Sequence, residues 1–157
     1  MFKTLFRMKR IAFCLVFFIT TLLFSCSSTE DTDDTNSGLS NNPVSGTVYE
    51  DSFVLGGGRG AENVEFLTIE LTSQSIGCDD SSIDFPITIY APYAVGIHTT
   101  DVSVTFEDPN TDDFVSVSSG VIVEIQSIGT TIVGRVKATS ISTDNSINGK
   151  FTVPVCQ

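Results

Sequence analysis

The chain has 157 residues, with eight Lys and Arg against nineteen Asp and Glu, a formal charge of −11 and a sequence pI near 4.2. Such a surface repels nucleic acid, which proteins approach with Lys and Arg patches, so nucleic acid is excluded as a partner while cationic ligands and divalent metals stay compatible. One histidine and no tryptophan further narrow the catalytic options, because triads and most metal sites need an imidazole among other suitable side chains.

The chain opens on a positive head (Lys3, Arg7, Lys9, Arg10), followed by an almost unbroken apolar run from Ile11 to Phe24 and then by Ser25-Cys26. Fourteen residues in a helix span about 21 Å, short of a ~30 Å hydrocarbon core, so a secretory signal fits better than a permanent span. With Leu23 at −3, Ser25 at −1 and Cys26 after the cut, the stretch resembles a bacterial lipoprotein signal. That resemblance implies cleavage of residues 1–25 and a covalent diacylglycerol, with further acylation such as palmitate, on Cys26. Loss of 1–25 leaves four basic residues (Arg59, Arg135, Lys137, Lys150) against nineteen acidic ones, a net charge of −15. An ordinary cleaved signal, with Cys26 as a bystander, is the plainer alternative.

Residues 26–43 are Ser, Thr, Asp, Asn and Gly with hardly an apolar side chain, which predicts an acidic flexible tether. A cysteine followed by Ser27-Ser28-Thr29 and then Glu30, Asp31, Asp33 and Asp34 resembles the surface-export signal of Bacteroidota lipoproteins. It implies an outer-membrane protein held by its lipid and exposed at the cell surface, with periplasm-facing attachment as the alternative.

From residue 44 to 157 the sequence turns β-branched and aromatic, enough for one domain. Apolar residues recur with period two: Leu67, Ile69, Leu71; Phe85, Ile87, Ile89, Ala91; Val102, Val104, Phe106; Val121, Val123, Ile125; Ile132, Gly134, Val136, Ala138; and Ile147, Gly149, Phe151, Val153, Val155. Weaker strands are predicted at 46–50, 52–56 and 114–118, and a meander at 120–127, 131–139 and 147–155. Pro154 lacks an N–H, so the last strand either is an edge or ends there. Gly, Asn and Asp clusters at 56–60, 79–82, 108–112, 128–130 and 143–146 supply the turns. Eight or nine short strands without a helical stripe indicate an all-β antiparallel sandwich, immunoglobulin-like, with a small lipocalin-like barrel as the alternative. Cys78, Gly134-Arg135-Val136, Asn148-Gly149-Lys150-Phe151 and Val155-Cys156 resemble small uncharacterised lipoproteins of Bacteroidota, a likeness that carries no known activity.

Cys14 leaves with the signal, so Cys78 and Cys156 remain as an even pair, and an oxidising compartment favours a disulfide between them. His98, in Gly96-Ile97-His98-Thr99-Thr100, reads as a surface loop residue. Asp108, Asn110 and Asp112 have the spacing that opens a calcium loop, but Asp113 stands where Gly is needed and Ser119 where Glu is needed. A capped turn explains them better, with Ca2+ the weaker reading, and Asp79, Asp80 and Asp84 form a second acidic cluster. The glycines at 56–60 lack the Lys-Ser/Thr of a phosphate loop and suit a hairpin or bulge. Tyr90, Pro92 and Tyr93 make the best candidate contact patch. Together these features predict a non-enzymatic, membrane-tethered module that binds a glycan or a surface protein or serves the envelope. A carboxylate-dependent, glycosidase-like hydrolase and a carrier of a small apolar ligand are the alternatives.

Overall fold

In a computed structural model the described residues are 37–80, 84–111 and 113–156, and Cys26 with the expected signal and most of the tether lies outside them. Eleven strands and no helix make up the described part: β1 (Ser45–Val48), β2 (Asp51–Val54), β3 (Gly57–Glu62), β4 (Phe66–Thr72), β5 (Ile87–Pro92), β6 (Gly96–His98), β7 (Ser103–Glu107), β8 (Phe114–Val117), β9 (Ile122–Ile128), β10 (Thr131–Ser140) and β11 (Asn145–Pro154). They form two antiparallel sheets, sheet 1 in the order β2-β1-β11-β10-β9-β6 and sheet 2 in the order β3-β4-β5-β7-β8.

Period-two alternation decides which side chains enter the sandwich. Leu67, Ile69 and Leu71 of β4, Ile87, Ile89 and Ala91 of β5, and Val104 and Phe106 of β7 face Val123 and Ile125 of β9, Ile132, Val136 and Ala138 of β10, and Ile147, Phe151 and Val153 of β11 in one buried cluster. Gly134 and Gly149 also fall on the buried side. A one-residue register shift between Val133 and Gly134 leaves Gln126 of β9 without a partner, a bulge that increases the local twist.

The sheets are joined along one side and open along the other. Only Leu55 and Gly56 separate β2, an edge of sheet 1, from β3, an edge of sheet 2. Past the end of β11, Val155 bridges Gly60 and the Cys156 N–H donates to the Gly60 carbonyl at 2.8 Å. At its other end the β10–β11 hairpin packs beside β8, the far edge of sheet 2. The hairpin therefore lies across sheet 2 from edge to edge. Because β8 and β6 pair on one side only, the barrel alternative is corrected: the sheets do not close. The last strand is central, between β1 and β10, and ends at Pro154, where the missing N–H costs no interior ladder bond.

Residues 37–43, expected to belong to the flexible tether, are a strap on the outer face of sheet 1. The Ser40 N–H donates to Asn148 Oδ1 at 2.9 Å, and Asn148 Nδ2 donates to the Gly38 carbonyl at 3.0 Å. Lys150 N–H donates to the Asn42 carbonyl, and Val44 N–H to the Lys150 carbonyl. Arg135, on the outward parity of β10, is only 4 % exposed because the strap covers it. Its guanidinium donates to Glu124 at 2.5 Å, to Asn41 Oδ1 at 3.1 Å and to the Leu39 carbonyl at 3.5 Å. Leu39 is fully buried, yet stands apart from the main core cluster. A polar composition thus conceals one apolar anchor and a set of backbone bonds.

Candidate functional site

The outer face of sheet 2 carries an aromatic and hydroxyl surface. Tyr90 of β5 lies opposite Thr68 of β4 and Ser103 of β7, and Pro92 lies opposite Phe66. Phe66 has the parity of Thr68 and Glu70, not of the core residues Leu67 and Ile69, so its ring faces outward at 38 % exposure beside Tyr90 at 44 %. These two rings, Thr100, Asp101, Ser103 and Ser118 are the main walls of a shallow open groove of about 670 Å³. Asp101 sits at φ 57°, the left-handed region that most non-glycine residues avoid. Asp tolerates it better than most, and a side chain held there marks a local backbone set by its surroundings. Chemically the groove offers two apolar ring faces, hydroxyls that donate and accept, and one carboxylate acceptor.

The predicted patch is partly assembled. Tyr90 and Pro92 do meet Phe66. Tyr93 stands apart on the β5–β6 loop, where its N–H donates to the Glu65 carbonyl at 2.9 Å. The Tyr93 hydroxyl bonds the Glu62 carboxylate, which raises its pKa above the ordinary tyrosine value. Phe66, Thr100, Asp101 and Ser103 escape a sequence reading that ranks tyrosines first. The opposite parity of Phe66 to Leu67-Ile69-Leu71 was the available signal; the register that sets it against Pro92 is not written locally.

Other candidate residues have structural partners. Cys78 and Cys156 are joined in a disulfide with Cα atoms 5.4 Å apart, tying the end of the chain to the long loop after β4. Asp108 Oδ1 accepts from the Asn110 N–H at 2.8 Å and from Asn110 Nδ2 at 3.2 Å, while Oδ2 accepts from the Thr111 hydroxyl at 3.1 Å. These bonds, led by that from the Asn110 backbone, hold its carboxyl below the ordinary value. Asp108 and Asn110 thus shape their own turn, and Asp112 lies outside the described residues. Among the described residues no three His, Cys, Asp or Glu side chains stand where they could share a metal ion. His98 belongs to β6, not to a loop; its Nε2 lies 2.8 Å from the Ala94 carbonyl.

Within the glycine run, Gly57, Gly58 and Gly60 belong to β3 and Gly56 precedes it. A Cβ on Gly58 would lie 2.8 Å from Val153 Cγ1 and one on Gly60 would overlap Ile132 Cδ1, so glycine lets the edge of sheet 2 approach sheet 1. Arg59 between them points outward, donating to Glu70 at 2.5 Å with its guanidinium 4.4 Å from the centroid of the Phe85 ring. Comparison of the chain with protein-family models, curated proteins and solved structures finds no match.

Proposed function

We propose that the chain is a lipid-anchored binding module of the bacterial outer membrane, displayed at the cell surface, which captures glycans in the Phe66–Tyr90 groove. The observation that carries this reading is the pairing of two exposed rings with hydroxyls and the Asp101 carboxylate in one open groove. Sugars present apolar C–H faces that pack on aromatic rings and hydroxyls that exchange hydrogen bonds with Ser, Thr and Asp. An open groove suits a chain threaded along it better than a small molecule that must be enclosed.

The described part of the chain begins at the strap on the outer face of sheet 1, while the groove opens on the outer face of sheet 2. A net charge of −15 after loss of residues 1–25, with Asp101 itself in the groove, favours a neutral polymer over an anionic one.

The test displays the full chain on cells and measures binding of fluorescent neutral polysaccharides by flow cytometry. Cys26→Ala should abolish cell-bound signal and antibody staining together. The double variant Phe66→Ala/Tyr90→Ala should keep antibody staining and lose about tenfold or more in polysaccharide affinity, as expected for loss of about 1.4 kcal/mol or more. Equal binding by the double variant, or none by the wild type across neutral polysaccharides, refutes the glycan assignment. Antibody staining that persists in Cys26→Ala refutes the anchor.

A further inference from the structure

Sheet 2 ends at β8, whose backbone is used on one side only. The Asp108 N–H donates to the Asp113 carbonyl at 2.7 Å, so residues 108 and 113 form a hydrogen-bonded pair at the start of the β7–β8 ladder. Antiparallel pairs alternate between bonded and non-bonded. The partners Glu107–Phe114 and Thr105–Ser116 are therefore the non-bonded ones. It follows that the N–H and C=O groups of Phe114 and Ser116 point away from β7, and among the described residues no backbone bond takes them up.

Two of the other edges are handled differently: Val155 and Cys156 cover the middle of β3, and β6 is only three residues long. Beside β8, by contrast, lies an open cleft of about 480 Å³, with Val115–Ser119 on one wall and Thr139–Ser142 of the hairpin tip on the other. Phe114 and Ile141, 71 % and 93 % exposed, flank it as apolar side chains without cover. Folds usually blunt an exposed edge; here the four residues of β8 border an open cleft.

Charge gives the cleft a polarity. Glu107, Asp108 and Asp113 gather at the N-terminal end of β8, while Ser118 and Ser119 continue from its C-terminal end. We propose that β8 is a docking edge for an extended segment of a partner protein, added antiparallel, with basic residues at its C-terminal end against this acidic corner. The outward groups of Phe114 and Ser116 would supply the main-chain bonds, and the charges would fix register and direction. A second copy of this chain is a poorer occupant, because without residues 1–25 it would bring a further net charge of −15 to the same corner. The cleft meets the Phe66–Tyr90 groove at Ser118, but it draws on the backbone of Phe114 and Ser116 rather than on the two rings, so each assignment can fail without the other.

The experiment uses the full chain in detergent and two labelled octapeptides, Thr-Val-Thr-Val-Thr-Val-Lys-Lys and the same peptide ending in Glu-Glu, with binding read by fluorescence anisotropy. The Lys peptide should bind about tenfold or more tighter than the Glu peptide, an advantage that shrinks with added salt. Ser116→Pro removes an N–H that β7 does not use, so it should cut binding at least about tenfold with the melting temperature little changed. Should that variant fold poorly, N-methylation of alternate peptide residues removes the same bonds from the ligand side. Equal affinity for both peptides, binding indifferent to Ser116→Pro and to N-methylation, or no binding of the Lys peptide overturns the proposal. Sedimentation of the protein alone as a dimer that Ser116→Pro dissociates would assign the edge to a second copy instead.

Discussion

Replacing Leu39 with Ala tests whether the strap is held as its contacts imply. Leu39 is fully buried, and burial of such a side chain is worth about 2–3 kcal/mol. The half-dozen hydrogen bonds that link Gly38–Val44 to Arg135, Asn148 and Lys150 contribute about 1 kcal/mol each. Against them stands the ordering of residues 37–43, at about 1–2 kcal/mol per residue. The gains, about 8–9 kcal/mol in all, exceed the lower end of that cost, about 7 kcal/mol, by about 2 kcal/mol, so the strap without Leu39 should leave the sheet and the domain should stay folded beneath it. Deletion of buried leucine atoms ordinarily costs about 2–5 kcal/mol; here the loss should saturate near 2 kcal/mol, because release of the strap caps it. Hydrogen exchange is the assay. The Ser40 and Lys150 amides should lose protection in Leu39→Ala, while β4 and β5 amides such as Ile69 and Ile89 keep it. Unchanged protection at Ser40 and Lys150 would refute the anchoring role, and equal loss throughout would show that the strap is inseparable from the whole fold.

Two further predictions concern stability. Cys78→Ser with Cys156→Ser releases a link across 78 residues, for which chain entropy gives about 4–5 kcal/mol; a loss below about 1 kcal/mol in urea unfolding would mean that the Gly60–Cys156 contact already restrains the end of the chain. Glu124 has its carboxyl held below the ordinary 4.5, chiefly by the hydrogen bond from Arg135. A depressed folded pKa gives stability that is complete above 4.5 and is lost as pH falls through the folded value. Glu124→Gln should therefore cost about 1–2 kcal/mol at neutral pH and flatten the acid limb of a stability–pH curve; an acid limb identical to wild type would assign it to other carboxylates.

Much of the fold is legible in the chain. Strands with strict alternation, such as Leu67-Ile69-Leu71 and Val104-Phe106, place their apolar faces in the core as read. The meander β9-β10-β11 is present, and the cysteine pair is joined. Two strands were hidden. β3 looks like a turn because Gly57, Gly58 and Gly60 are turn residues by habit, whereas here Gly58 and Gly60 admit Val153 and Ile132 from the facing sheet. β6 is three residues with Gly and His, and pairs only because β9 lies alongside. Arg135 alternates with the apolar set Ile132, Gly134, Val136 and Ala138 and so lies on the outward parity, but its burial depends on the strap, a contact 94 residues away in sequence. The groove was legible only in part because Phe66, Tyr90 and Asp101 meet through register and loop path rather than spacing.

The position of the last strand bears on when this protein can finish folding. β11 lies between β1 and β10, with Ser45 opposite Asn148, and it also supplies the strap with Asn148 and Lys150. A chain emerging N-terminus first can assemble sheet 2 from residues 57 to 117, but β1, β2 and the strap must wait for its final ten-residue strand. Such long-range pairing makes folding slow, and the entropy of closing the loop must be met before its contacts form. A chain cut short before Asn145 would leave its larger sheet in two pieces, an incomplete product recognisable by its unpaired strands.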